Sequence, residues 1–160
     1  MRVLIFWKGG RGMQATKEQI TEESFLGAIY KNAKMGVDAI IDLLPRVKSN
    51  AMRSAMTIQL NGYERYAASA AKALQERGVT PKEENIVVRM GAKMGMAFST
   101  MLSVTTSHIA ELMIEGSNMG ITDMIKLLNN YKTEDSEAVR LAREVVAFEE
   151  HNIETMKGFL

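Results

Sequence analysis

A chain of 160 residues predicts one domain, large enough to fold around its own core without a disulfide or metal staple. It contains no cysteine, which excludes thiol nucleophiles, iron–sulfur ligation and zinc fingers. Twenty Lys plus Arg against nineteen Asp plus Glu leave a net charge of +1, which argues against binding to nucleic acid by bulk charge.

The first sixteen residues stand apart as an arm or tail (1–16), followed by a helical domain over 17–160. Val3-Leu4-Ile5-Phe6-Trp7 is β-prone, and Gly9-Gly10-Arg11-Gly12 then interrupts regular structure. This stretch reads either as a short strand or arm that docks on a partner, or as an extension preceding a true start near Met13. The glycines lack the GxxxxGK[ST] spacing of a phosphate loop. The apolar run is shorter than a signal-peptide core, and no segment approaches the roughly 20 apolar residues of a membrane span. A cytoplasmic protein without a membrane segment is the expectation.

The remainder carries helical periodicity. A first helix is predicted over 21–44, opened by Thr21-Glu22-Glu23, striped by Phe25, Ile29, Ala33, Ile40 and Leu43, and ended by Pro45. A second runs from Pro45 or Ser49 to about 77, with Met52, Met56, Leu60, Tyr63, Ala67, Ala70 and Leu74 on one face. Gly78 closes it and Pro81 follows. A third begins near Glu83 and continues past Leu112, with a break expected over 116–120, where Gly116, Ser117, Asn118 and Gly120 fall together. A short piece over 121–131 follows, and a last helix over 135–157 carries Ala138, Leu141, Val145, Phe148 and Met156. Helices of similar length joined by short loops predict an all-α, antiparallel four-helix bundle. Of the thirteen methionines, Met52, Met56, Met90, Met94, Met101 and Met156 fall on these stripes and read as core packing.

Function in a bundle sits among polar side chains that interrupt the apolar stripes. Asn32, Gln59, His108, Glu111, Glu149 and Asn152 do so. His108 and Glu111, three apart, share a helical face and are candidate metal ligands, as is Glu149. The simpler reading of His108 and Glu111 is a surface or structural pair. Glu150, His151 and Glu154 read as a solvated outer face. No GxSxG or HExxH motif is present.

Three segments, Tyr30-Lys-Asn-Ala-Lys-Met-Gly-Val-Asp-Ala-Ile40, Ser107-His-Ile-Ala-Glu-Leu-Met-Ile-Glu-Gly-Ser-Asn-Met-Gly120 and Phe148-Glu-Glu-His-Asn-Ile153, resemble small bacterial proteins of the ferritin-like superfamily with rubrerythrin-like relatives. The resemblance spans about 22–160 and implies a ferritin-like bundle. Ferritin-like di-iron centres use two lone glutamates and two Glu-x-x-His motifs. Here Glu149 is followed by Asn152 where the histidine would stand, and Glu64 by Ala67. Glu111 matches a lone glutamate, and the first helix supplies none on its stripe. The expectation is therefore a non-catalytic structural or interaction protein, a homodimer with no cofactor and an incomplete di-metal site. The alternative is an iron- or manganese-binding oxidoreductase with His108, Glu111 and Glu149 as ligands, assisted by Glu64 or Gln59. A third reading places a small ligand in a methionine-lined cavity.

Overall fold

The computed structural model describes residues 19–83 and 104–160. They form four α-helices and one short 3-10 turn, with no strand among the described residues. The helices are α1 (Glu22–Leu43), α2 (Asn50–Glu76), α3 (Thr106–Asn130) and α4 (Glu137–Lys157).

Each helix starts on a hydroxyl cap, because a Ser or Thr side chain can accept from an amide left unpaired in the first turn. Thr21 accepts from Ser24 N and Ser24 returns the bond, closing a capping box on α1. Ser49, Thr105 and Ser136 accept from Met52, His108 and Val139 at the starts of α2, α3 and α4. Pro45 sits in the 3-10 turn (Leu44–Arg46) that ends α1. Gly78 takes a positive φ of 73°, so that its own N–H and that of Val79 reach back to Gln75 and Leu74 and close α2.

The third element departs from the sequence expectation twice. It starts at Thr106, within the stretch read as one helix from Glu83 to Leu112; residues 84–103 of that reading lie outside the described residues. It then runs unbroken through Gly116 and Gly120 to Asn130, which corrects the expected break over 116–120. Each glycine costs a helix interior about 1 kcal/mol against alanine. Burial of Leu112, Met113 and Ser117 before Gly120 and of Met124 after it holds the helix across that weak stretch. The 1–16 arm also lies outside the described residues.

α1 packs mainly on α2, and α3 on α4. At one end the start of α1, the end of α2, the end of α3 and the start of α4 meet. Glu22 accepts from Tyr131 Oη at 2.5 Å and from Ala138 N at 2.9 Å. Arg77 stands 3.7 Å from Glu22 and 3.1 Å from Glu137. The core falls into two apolar clusters. One gathers Phe25, Ile29, Tyr66, Leu74, Met124 and Val145 toward the Glu22 end. The other gathers Ile40, Leu43, Met52, Met56, Ile109 and Met156 toward the opposite end. Phe148 packs against both, its ring at 5.0 Å from that of Tyr63 and 5.2 Å from that of Tyr66. The bare Cα of Gly62 makes room for it, since a Cβ there would stand 2.3 Å from the ring. No described helix is long and apolar enough to cross a membrane.

Candidate functional site

Between the two apolar clusters lies a buried polar layer. Gln59, Ser117, Glu149 and Asn152 are each only 2% exposed. Every one stands on an apolar stripe, where its helix turns it inward. Polar groups so placed need partners, because an unpaired buried donor or acceptor costs about 1–3 kcal/mol.

Glu149 is the chemical centre of the layer. Tyr63 Oη donates to its Oε2 at 2.5 Å. Burial pushes the Glu149 carboxyl up to about 7, against the smaller opposing pull of Tyr63, Ser117 and Asn152. Burial and then the Glu149 charge push the Tyr63 phenol well above its ordinary range, so it stays a donor. Partnering is incomplete. Among the described residues, Asn152 faces the carboxyl but its Nδ2 closes no hydrogen bond, and both amide atoms of Gln59 are buried without a partner.

A cleft of about 400 Å³ opens between α1 and α3 and reaches this layer. Met35, Leu43, Met113 and Met124 give it apolar walls, while Asn32, Tyr63, Ser117 and Glu149 supply polar groups. Lys31, Asp123 and Lys126 also border it. Two glycines shape it. A Cβ on Gly120 would stand 2.8 Å from Glu149 Oε1 and 2.9 Å from Asn32 Nδ2, so α3 approaches both only because Gly120 is bare. A Cβ on Gly36 would stand 2.5 Å from the Tyr63 ring, which therefore lies flat on α1. Asn32 Oδ1 is buried beside Gly120 with no hydrogen-bond partner among the described residues.

The residues proposed from sequence as metal ligands are distributed over the molecule. His108 and Glu111 pair with one another in the first turns of α3, Nδ1 to Oε2 at 3.1 Å, with side chains 40% and 56% exposed. Ser117, which borders Glu149, lies nine residues beyond His108, about 13 Å along the helix axis. Glu64 is exposed on the outer face of α2. Among the described residues no group of three or more His, Cys, Asp or Glu side chains is arranged to hold a metal ion.

Asn32, Gln59, Glu149 and Asn152 are visible in the sequence as polar interruptions of apolar stripes. Tyr63 and Ser117 are not. Tyr63 passes as a core aromatic, and Ser117 sits among residues that read as a helix break. The signal for Ser117 is its position four after Met113 and seven before Met124, on the inward face of an unbroken helix.

A crystal structure of a DUF305 fragment from Deinococcus radiodurans has a similar fold, with a TM-score of 0.68. It is 19% identical, and the alignment covers 88% of this chain and 96% of that one. No family model matches the chain, and no curated protein matches it. At this identity the likeness is one of fold, and it supports an all-helical bundle.

Proposed function

We propose that this chain is a ferritin-like, antiparallel bundle that binds a small ligand in the α1–α3 cleft, as a non-catalytic interaction protein. The observation that carries this reading is a largely apolar cleft that ends on buried polar groups: Glu149 and Tyr63, bonded to one another, and Asn32, whose Oδ1 has no partner among the described residues. Small-molecule sites have this make-up, with apolar walls and a few convergent polar groups, at volumes of about 300–1,000 Å³. The antiparallel arrangement is supported by the meeting of helix starts and ends around Glu22, and the ferritin-like assignment by four helices with a polar layer at mid-height.

The test is ligand-dependent thermal unfolding with hexanol as probe. Gly116 borders the cleft, and a Cβ there meets nothing within 4 Å, so Gly116→Phe fills the space without a clash at its base. Hexanol is expected to raise the Tm of the wild-type protein and to leave that of Gly116→Phe unchanged. No shift in the wild type, or an equal shift in the variant, would contradict the reading.

The same reading makes the protein a cytoplasmic homodimer without metal. Ile41 and Ile58, which are 54% and 70% exposed, offer apolar contact surface in the half away from Glu22. Light scattering of the purified chain checks this, with a dimer expected and a monomer opposing it. The metal-binding alternative requires His108, Glu111 and Glu149 to act together. Elemental analysis of protein purified without chelator tests it. Near-stoichiometric iron or manganese that disappears in His108→Ala would favour the alternative.

A further inference from the structure

We infer that the cleft takes an apolar primary amine, its ammonium group held by Glu149 Oε1 and Asn32 Oδ1 and its hydrocarbon part lying along Met35, Met113 and Met124. This rests on the binding reading above and names the ligand class for that site.

Beside Gly120 the cleft presents two acceptors, Glu149 Oε1 and Asn32 Oδ1, and one donor, Asn32 Nδ2. Tyr63 donates to Glu149 Oε2, which leaves Oε1 as the atom facing Gly120. Asn32 Oδ1 lies beside the same glycine, buried and without a hydrogen-bond partner. Two acceptors that converge on one point call for a donor-rich group. An ammonium has three N–H donors and no acceptor, whereas a carboxylate ligand would set acceptor against acceptor. An alcohol brings one donor and leaves the other acceptor orphaned.

Charge points the same way. The side chains that favour ionised Glu149 are neutral: Tyr63 from α2, Ser117 from α3 and Asn152 from α4. A buried carboxylate held by neutral groups retains a desolvation cost that a cation offsets. Lys31 on α1 and Lys126 on α3 border the cleft together with Asp123, so its edge carries both signs. The walls argue for the rest of the ligand. Methionine side chains adapt to an aliphatic or aromatic body.

The experiment compares hexylamine with hexanol by isothermal titration calorimetry at mildly alkaline pH, where Glu149 is ionised. Hexylamine is expected to bind at least about tenfold more tightly than hexanol. Glu149→Gln and Asn32→Leu should each weaken hexylamine more than hexanol and so remove that advantage. Asn32 is half-buried at the cleft rather than in the core, so its variant carries the test if the Glu149 variant loses its circular dichroism signal. Equal affinities for amine and alcohol in the wild type, or an amine advantage that survives Asn32→Leu, would overturn the amine assignment while leaving the cleft a binding site. Binding of neither probe would overturn both.

Discussion

Glu22 and Glu149 are the same residue type placed in opposite surroundings. Burial pushes both carboxyls up. At Glu22 that push is outweighed by the Tyr131 hydroxyl, the Ala138 N–H, Ser136 and the Arg77 guanidinium, which together hold it below the ordinary carboxyl range. At Glu149 three neutral side chains do not suffice, and the carboxyl stays up at about 7. Glu22 lies at the start of a helix with another helix start in reach, where amides and a cation are available. Glu149 lies at mid-height, where intrahelical bonding has consumed the backbone donors. The first placement makes a structural clamp. The second leaves a buried carboxyl whose recorded partners are all neutral, which suits it to a cationic ligand.

The contrast predicts a stability profile with two limbs. A carboxyl raised in the folded state contributes stability below its unfolded pKa and loses it as pH rises through the folded value. For Glu149 the window runs from 4.5 to about 7, so stability should fall by about 3 kcal/mol across it. Glu149→Gln should flatten that limb, as urea melts at several pH values would show.

Glu22 acts with the opposite sign. Its depressed pKa gives stability above the ordinary carboxyl range, lost as pH falls through the folded value. Glu22→Gln removes a charged acceptor from Tyr131 and from the Ala138 amide, and should cost about 1–2 kcal/mol at neutral pH. It should also blunt the acid limb. If each variant flattened the other's limb, the comparison would be wrong.

Two smaller effects sharpen the account of the mid-height layer. Gln59→Met exchanges a buried amide with two unpartnered atoms for a side chain of similar shape. It should stabilise by about 1 kcal/mol, read as a higher urea midpoint with unchanged m. Gly116→Ala should stabilise by about 0.5–1 kcal/mol, since a Cβ at this helical position meets nothing within 4 Å. A loss of stability there would restore the idea of a break in α3.

The sequence was most legible where physics is local. Thr21, Ser49, Pro45 and Gly78 mark helix limits through their own chemistry, and the structure places those ends within a residue or two of expectation. Thr105 was not legible as a cap, because the apolar spacing through Met101, Val104 and His108 continues across it without a change of phase. Gly116 and Gly120 misled for the opposite reason. Their propensity is local, but what fixes Gly120 is its approach to Asn32 and Glu149, residues far away in the chain. The candidate site shows the same split. Inward placement of Glu149, Asn152 and Asn32 follows from helical phase. Their convergence on Tyr63, Ser117 and one bare Cα depends on helix packing, which phase alone does not set. His108 and Glu111 share a face as their spacing dictates, and that face is the one turned to solvent.

The most direct measurement is a carbon-13 NMR titration of the Glu149 side-chain carboxyl, assigned by comparison with Glu149→Gln. A midpoint near 7 is expected, about 2.5 above the ordinary glutamate value of 4.5. A midpoint at or below the ordinary value would show a solvated or fully partnered carboxyl, and would contradict the buried, partner-seeking acid on which the cleft's function depends.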